Sequence, residues 1–361
     1  MNTRKKWCIV CVVMSFSIVV STQTSLPASP IDVDQVIKNV ADKLESTQTK
    51  EGESKGAWLN NIEFTGAITV GMVDAYHRVD ESSYWSCAEL AGQYILSTSD
   101  GHLYSDEALA LTRLSDSMDD QLDNTWRTEV SHFYADIKES SIGTEGYIAL
   151  YVGAEPSAVV LCLAEHVVAA YTVGAEDIEI WRQGLIDTLS QIDGNCSFPV
   201  LALGSATWAL AQTGPLDGTL IDPGGEKTSY WDMKKLEDLP DLLLSHQVPA
   251  DQSMAGSFYW RLDHSDGGLG VPVNGYTEDT IYSTLGLIAA YQTAPVPRED
   301  VKSAIVAAQT ALLNGVTPQG WVCERLSQEG LVCCVYAGEM LQVLCELGFL
   351  SENDPSVVSL K

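Results

Sequence analysis

The chain has 361 residues, of which 45% are hydrophobic, and 49 Asp and Glu oppose 20 Lys and Arg to give a formal net charge of −29. This composition allows a large hydrophobic core and excludes global disorder. A surface this acidic repels nucleic acid and anionic lipid, and it repels polyanionic polysaccharides unless a metal ion intervenes.

Residues 1–25 have the pattern of a secretory signal. Arg4, Lys5 and Lys6 precede an apolar stretch at 7–20, and small polar residues follow it. This stretch is shorter than the roughly 20 residues that a membrane-spanning helix needs. The pattern therefore favours a cleavable signal over a retained membrane anchor. We expect an exported protein (secreted, periplasmic or at the cell surface) that has no membrane attachment after signal cleavage.

The cysteines after the predicted signal number seven, and an odd number cannot all pair. Cys87 and Cys162 lie in apolar helical stretches and are interpreted as buried thiols. Cys323 could form a disulfide with Cys333 or Cys334 in an oxidising compartment. Because no CxxC, HxxxH or EF-hand spacing is present after the predicted signal, we expect neither a metal nor another cofactor.

Two kinds of helix alternate along the rest of the chain. The first kind is amphipathic, as where Val33, Ile37 and Leu44 share one face of a helix whose other face is charged. The second kind is apolar on nearly all sides, which is typical of a helix that is buried all round. Amphipathic helices are predicted at 31–47, 83–97, 124–138, 176–191, 234–246 and 299–313. Buried helices are predicted at 65–79, 105–118, 156–172, 200–213, 278–291 and 334–348.

Taken in order, these helices form six hairpins, each with an amphipathic outer helix and a buried inner helix. The second hairpin fits least well because its inner helix carries several charges, and Pro240 weakens the fifth outer helix. We predict an all-α (α/α)6 toroid over residues 26–351, followed by a C-terminal tail at 352–361. An open helical solenoid or an ordinary helical domain is the alternative architecture.

Residues 256–292 carry the most specific pattern in the chain. Tyr259 and Trp260 precede Asp266-Gly267-Gly268, and a Thr- and Asp-containing turn then opens a helix rich in Leu and Ala. This segment resembles the repeat of the α/α-toroid superfamily, which includes terpenoid cyclases, protein prenyltransferase β subunits, pectate-lyase-like toroids and six-hairpin glycosidases. The resemblance covers the layout of most of residues 31–348 and is specific in this one stretch.

Two activities of that superfamily lack their motifs here. The DxDD acid motif of cyclising terpenoid enzymes is absent, and so is a clear zinc-ligand set of prenyltransferases. Asp119, Asp120 and Asp123 have the DDxxD spacing with which terpene synthases hold magnesium. Such a match arises easily among 49 acids, and an exported protein does not meet prenyl diphosphates, so we interpret it as an acidic helix end.

In a toroid, the loops that enter the inner helices converge on one mouth, together with the positive ends of the helix dipoles. These loops here combine aromatic rings, which stack on sugars, with carboxylates, which bind hydroxyls. Glycoside cleavage needs one acid and one carboxylate base or nucleophile. The predicted catalytic residues are Asp279, Glu278, Asp263 and His264, with Glu63, Glu155 or Glu339 across the mouth. The predicted sugar-binding residues are Tyr259, Trp260, Arg261, Asp266, Tyr276, Trp58, Tyr151 and Trp321.

Each of these residues also has a structural interpretation. Asp279 would serve as a helix cap, Asp266-Gly267-Gly268 as a turn, and Tyr259 and Trp260 as packing at the rim. We predict a carbohydrate-active enzyme that binds a neutral polysaccharide or oligosaccharide. Hydrolysis is favoured over lyase action, because a lyase acting on uronates needs basic residues and this chain has few. A non-catalytic glycan- or protein-binding toroid is the alternative, and terpenoid chemistry is a remote one.

Overall fold

The computed structural model describes residues 32–117, 125–151, 153–225 and 227–353. The predicted signal sequence at 1–25, the DDxxD spacing at 119–123 and most of the predicted tail lie outside these residues. The described residues form helices and isolated β-bridges, without a β-strand. The helices are α1 Val33–Thr47, α2 Thr65–Val79, α3 Ser82–Thr98, α4 Ser105–Asp116, α5 Thr125–Glu139, α6 Gly143–Ala149, α7 Pro156–Val173, α8 Ile178–Leu189, α9 Pro199–Thr213, α10 Leu239–Ser245, α11 Thr277–Thr293, α12 Glu299–Gly315 and α13 Cys334–Asn353.

Six of these helices form a closed inner ring. Around the ring, α2 packs against α4, α4 against α7, α7 against α9, α9 against α11, and α11 against α13, while α13 packs back against α2. The outer helices α1, α3, α5, α8, α10 and α12 pack against this ring from outside. The predicted all-α toroid of six hairpins is therefore confirmed, and an open solenoid is excluded by the contact between α13 and α2.

The inner and outer helices differ in burial as their sequences predict. On the outer helix α1, the buried residues Ile37, Val40, Ala41 and Leu44 form one face. The inner helix α9 is buried along nearly its whole length. Small residues let the inner helices approach closely: a Cβ on Gly71 of α2 would overlap the Gly338 carbonyl group of α13. These glycines bring the last inner helix against the first and so permit closure of the ring.

The fifth outer helix is shorter than predicted. Residues 234–246 were expected to be helical, but α10 begins only at Leu239 and a 3-10 turn, Leu236–Asp238, precedes it. Pro240 lies in the first turn of α10. Proline has no backbone N–H to donate and is tolerated only in a first turn, so the helix does not extend further toward the N-terminus. The short helix α6, between α5 and α7, was not predicted.

The described cysteines form no disulfide, so the proposed pairing of Cys323 with Cys333 or Cys334 is absent from this structure. Cys323 lies instead in an antiparallel bridge opposite Val332. Among the described helices, α7 alone is long and apolar enough to cross a membrane. Because it belongs to the inner ring and 61% of it is buried inside the protein, its apolar surface is explained by packing within the core.

Candidate functional site

The starts of neighbouring inner helices are joined by acidic side chains. Asp106, at the start of α4, accepts a hydrogen bond from the backbone N–H of Ala67 at the start of α2, with 3.1 Å between Oδ2 and N. The carboxylate of Glu155 before α7 accepts from the N–H of Ser197 before α9, at 2.9 Å. In each of these two pairs the inner helices therefore run parallel, and we call the end of the ring at which their N-termini lie the mouth.

The mouth contains a group of carboxyls, here called the mouth cluster, of which Glu165 of α7, Asp279 of α11 and Glu339 of α13 are buried, and Asp106 of α4 and Glu278 of α11 are half-buried. Burial raises the pKa of Glu339 well above its usual range, and the neighbouring carboxyls Glu278, Glu165 and Asp106 raise it further. The hydroxyl of Tyr282 donates a hydrogen bond to Oε1 of Glu339, at 3.2 Å. Carboxyls from four inner helices thus lie within electrostatic reach of one another.

The members of the mouth cluster differ in how strongly they hold a proton. Burial, followed by repulsion from Glu278, raises the pKa of Asp279 to about 8. Burial and the nearby Glu324 raise the pKa of Glu278 to about 7. The pKa of Asp106 is raised only to about 6, because backbone N–H groups, including that of Ala67, oppose the effect of burial. At neutral pH the cluster therefore supplies both proton donors and carboxylates, the combination that general acid–base catalysis needs.

Two carboxyl oxygens of the mouth cluster have no hydrogen-bond partner. Oε2 of Glu339 and Oδ1 of Asp279 are unpartnered, although the two residues are only 4% and 3% exposed. In the part of the chain that the structure describes, no lysine or arginine forms an ion pair with either of them or with Asp106 and Glu278. Buried polar groups without partners are costly and often mark functional sites.

Asp263 and His264, which were predicted to be catalytic, belong to a separate group on the loop between α10 and α11. The His264 ring stacks on Tyr259 at 4.0 Å between centroids, and its Nε2 lies 3.0 Å from Nδ1 of His246. Asp263 pairs with Arg261 at 3.3 Å. Hydrogen bonds from Ser265 lower the pKa of Asp263. Within the described residues, neither Asp263 nor His264 forms a hydrogen bond or an ion pair with Asp279 or Glu339.

The other two predicted catalytic acids also lie apart from the mouth cluster. Glu63 is exposed at the end of the 3-10 turn before α2. Glu155 holds the start of α9 through the N–H of Ser197. The structure thus brings Glu278, Asp279 and Glu339 together out of the set predicted from sequence.

Several aromatic rings predicted to stack on sugar are instead covered by protein. Trp58 is 1% exposed, and its indole N–H donates to the Leu44 carbonyl oxygen at 2.9 Å. Tyr259 and Trp260 are 6% and 7% exposed. Trp260 meets the half-buried Tyr276 edge-on. These rings pack the loops of the mouth in place and leave little surface exposed for stacking on a sugar, so their role in sugar binding stays a prediction.

The remaining predicted sugar-binding residues also have partners within the protein. Arg261 donates to the Gly194 carbonyl oxygen and lies over the Trp260 ring. Tyr151 meets Tyr147 edge-on. Lys43 lies over the Trp321 ring, and Asp266 accepts from the N–H groups of Gly268 and Gly270 within its own turn.

Sequence reasoning did not select Asp106, Glu165 and Tyr282 as site residues. Glu165 had a usable signal, because it is the only carboxyl in the apolar helix α7, and a buried acid there needs an explanation. Two exposed aromatic rings of the mouth loops are not among the predicted sugar-binding residues: Tyr104 before α4 is 46% exposed and Phe198 before α9 is 40% exposed.

No protein-family model matches the sequence, and no curated protein matches it. Solved structures do match. The GH76A alpha-1,6-mannanase of Salegentibacter sp. HEL1_6 has a TM-score of 0.57 at 12% identity, covering 87% of this chain and 99% of that one. A family 88 glycosyl hydrolase of Bacteroides vulgatus has a TM-score of 0.59 at 11% identity, covering 88% and 98%.

A polysaccharide lyase is similar in structure, with a TM-score of 0.58 at 12% identity, covering 89% of this chain and 97% of that one. A variant of the mannanase, in which two successive aspartates are replaced, is described as inactive and holds alpha-1,6-mannotriose. At these identities the likeness concerns the fold. The chain has the six-hairpin α/α-toroid fold of these carbohydrate enzymes.

Proposed function

We propose that this protein hydrolyses glycosidic bonds, with the mouth cluster as its catalytic site. The observation that carries the proposal is the presence, on four inner helices, of buried or half-buried carboxyls that differ in proton affinity. Glu339 is held protonated by burial and by its acidic neighbours. Asp106 is the carboxyl whose ionised form receives the most help from backbone N–H groups.

These two environments suit the two roles in glycoside hydrolysis. Protonated Glu339 donates its proton to the leaving glycosidic oxygen through Oε2, which has no partner in the protein. Asp106 remains a carboxylate and acts as base or nucleophile on the other side of the bond. Glu278 and Asp279 hold further protons beside the reacting sugar. The exposed rings of Tyr104 and Phe198 provide stacking surfaces at the entrance.

The mannanase with the same fold supports this assignment. Its inactive variants lack two successive aspartates. In this chain, two inner helices each carry a pair of adjacent acidic residues in the first turn: Asp106–Glu107 on α4 and Glu278–Asp279 on α11. Both pairs contribute to the mouth cluster or stand directly beside it.

Hydrolysis is favoured over lyase action by the charge of the site. A lyase needs positive groups to hold the uronate carboxylate and to stabilise the carbanion that forms beside it. Among the described residues, the mouth cluster forms no ion pair with Lys or Arg through Asp106, Glu278, Asp279 or Glu339. A neutral polysaccharide or oligosaccharide is therefore the proposed substrate, and we propose that it is met outside the cytoplasm after export through residues 1–25.

The test uses the purified chain without residues 1–25 and a panel of neutral polysaccharides that includes alpha-1,6-mannan. Release of reducing sugar and the thermal shift of the protein are both recorded. We expect release from at least one member of the panel, abolished in Asp279→Asn and in Glu339→Gln. Glu89→Gln, on the exposed face of the outer helix α3, removes the same charge and serves as the control. Release that both mouth variants retain would contradict the proposal.

A non-catalytic glycan-binding toroid is the second candidate. It is favoured by the covered rings of Trp58, Tyr259 and Trp260, which leave fewer open stacking surfaces than a glycosidase cleft normally has. A thermal shift without sugar release in the same assay would support it. Terpenoid-type chemistry depends on the 119–123 spacing, which lies outside the described residues, and no feature of the mouth favours it.

A further inference from the structure

The loop that leads from α10 to α11 is fastened by a pair of histidines. His246 directly follows α10 and is only 4% exposed, whereas His264 lies in the largely exposed tip of the loop, residues 261–270. Nδ1 of His246 lies 3.0 Å from Nε2 of His264. Tyr259 contacts both residues, because its N–H donates to the His246 carbonyl oxygen at 3.0 Å and its ring stacks on that of His264. We call the contact between the two imidazoles the latch.

The rest of the tip is attached through Arg261 and Leu262. Arg261 donates to the Gly194 carbonyl oxygen in the loop before α9, and Leu262 packs against the hydrophobic core. Asp266 accepts two N–H groups inside the tip itself. His264 has a left-handed backbone, with φ at 56°, a conformation that a residue with a Cβ atom adopts at an energetic cost. The latch therefore holds a strained residue in place.

The latch depends on how many protons the two rings carry. A hydrogen bond between imidazoles needs one nitrogen with a hydrogen and one without. One added proton preserves the bond, because the charged ring can donate to the neutral ring. A second proton places an N–H group and a positive charge on each side, so that repulsion replaces the bond. Two neutral rings, or one neutral and one charged ring, are thus the forms that keep the latch closed.

The surroundings of the latch favour its uncharged form. Burial, followed by repulsion from His264, lowers the pKa of His246 to about 4. Burial also lowers the pKa of His264, although the charge of Asp263 opposes this effect. Both rings therefore bind protons less readily in the closed loop than a free histidine, whose pKa is about 6.5.

The neighbouring groups do not offset this preference. The titratable and charged side chains around the latch are Tyr230 and Lys234 from the segment before α10, and Tyr259, Arg261 and Asp263 from the loop itself. The Tyr230 hydroxyl lies 3.4 Å from Nε2 of His246, and Asp263 is paired with Arg261. Helix α12 meets this segment through an uncharged contact, in which Gln247 donates to the Ala304 carbonyl oxygen at 2.8 Å. Among the described residues, no carboxylate forms a hydrogen bond with His246.

We propose that the latch is released by acid: when the tip moves away, His246 and His264 are solvated and take up protons, and the doubly charged pair does not close again. The tip precedes α11 and reaches Gly194 before α9, so its release loosens the edge of the mouth between these two helices. This device is independent of hydrolysis at the mouth cluster.

The direction of the pH effect follows from the pKa of His246. The pKa is lower in the closed loop, at about 4, than the ordinary value of 6.5. The closed form is therefore fully favoured above about pH 6.5 and is weakened as the pH falls toward about 4. Opening becomes more favourable by up to about tenfold per pH unit for each proton taken up.

Hydrogen exchange of the purified chain tests the proposal. The probe is the Tyr259 N–H, which the His246 carbonyl oxygen protects. Protection factors, which correct for the intrinsic pH dependence of exchange, are measured at about pH 7 and about pH 4.5. We expect the protection factor of Tyr259 to fall at least about tenfold between these pH values, while the N–H groups of α9 stay protected. A constant protection factor, or equal loss of protection in α9, overturns the proposal.

Two variants separate the histidine pair from the other acid-sensitive groups of the tip. His264→Asn removes the ring and retains a residue that tolerates the left-handed backbone, and His264→Phe keeps a ring to stack on Tyr259 but cannot form the bond. In both we expect low protection of Tyr259 already at pH 7, with little further loss at pH 4.5. His102→Asn, an exposed histidine in the loop before α4, is the control and should behave as the unmodified chain. A normal acid response in His264→Asn or in His264→Phe overturns the proposal, because the carboxylate turns or the stacking would then account for it.

Discussion

The two ends of the inner ring both hold buried acids, but they differ in charge balance. At the mouth, Glu339 of α13 lies among other carboxyls. Seven residues further along the same helix, Glu346 lies 3.9 Å from Arg113 of α4. Burial raises the pKa of Asp74 of α2 to about 7, while Arg113 acts to lower it. We refer to Asp74, Arg113 and Glu346 as the base triad.

The comparison separates a structural use of buried charge from a functional one. In the base triad the positive charge of Arg113 stabilises the two acids. Removing one charge from such a buried group leaves the other uncompensated and destabilises the fold. In the mouth cluster the acids destabilise one another, which a protein retains only where the shifted proton affinities are useful. The mouth should therefore control activity, and the base triad should control stability.

The matched pair Glu339→Gln and Glu346→Gln is the strongest test of this contrast, because both changes lie on α13 and remove the same group. We expect Glu339→Gln to lower sugar release by about 10² to 10⁴-fold, the usual contribution of a general acid, without loss of stability. Glu346→Gln should keep near-normal activity and lose about 1 kcal/mol or less of folding free energy, because its partner is distant and partly solvated. Initial rates and urea unfolding of both variants measure these effects, and equal loss of activity in the two would remove the contrast.

Arg113→Met should have the largest effect on stability. It leaves Asp74 without the cation whose charge opposes the effect of burial, and Oδ2 of Asp74 has no hydrogen-bond partner among the described residues. We expect a loss of up to about 3 kcal/mol in the free energy of unfolding, measured by urea denaturation at about pH 9, where the Asp74 carboxyl of the unmodified chain is ionised.

The second variant for this test is the double change Arg113→Met with Asp74→Asn, which removes the uncompensated acid as well as the cation. It should recover most of the stability lost in Arg113→Met. A single variant as stable as the unmodified chain would show that the base triad does not stabilise the ring.

The pH dependence of stability tests the mouth cluster itself. Asp279 has a pKa of about 8 in the folded protein against 3.8 in its usual range, and Glu278 has about 7 against 4.5. Between these values the folded chain binds more protons than the unfolded chain. The contribution of these two carboxyls to the free energy of unfolding is therefore complete below about pH 4. It is lost as the pH rises toward 8, by up to about 1.4 kcal/mol per pH unit for each proton.

Asp279→Asn removes one of the carboxyls that bind a proton in the folded chain but not in the unfolded chain. The variant should lose less stability than the unmodified chain between about pH 4 and 8, and it should be the more stable of the two at pH 8. Urea unfolding at several pH values measures both slopes. Parallel slopes in the two proteins would mean that Asp279 is not a proton-binding group of the folded mouth.

Helical periodicity was sufficient to predict the hairpins. One-sided apolar patterns such as Val33, Ile37 and Leu44 define outer helices, and charge-free runs such as 200–213 define inner ones. Both features are local, so they can be read from a single sequence. Pro240 indicated from the sequence that the fifth outer helix, α10, would be weakened. Helix α6 is too short for its hydrophobic periodicity to be recognised in the sequence.

Residues of the site were predicted from the sequence only where they lie near the start of a helix. Glu278 and Asp279 were found because they open α11, and Glu339 because it lies near the start of α13. Glu165 and Tyr282 lie inside helices, and their contact with the mouth depends on how the helices are staggered along the ring axis. The burial of Trp58, Tyr259 and Trp260 likewise depends on how the long loops fold back, which no local pattern specifies.

Tyr282→Phe is the finest of these tests, because it leaves every carboxyl of the mouth cluster in place. The hydroxyl that donates to Oε1 of Glu339 holds the pKa of that carboxyl lower than burial alone would. Its loss should raise the pKa of Glu339 further, shift the alkaline limb of the pH–rate profile upward and lower kcat about two- to tenfold with KM little changed. If Tyr282 only fills space, the Phe variant will have the same pH–rate profile as the unmodified chain. The carboxyls alone would then account for the functional difference between the mouth and the base triad.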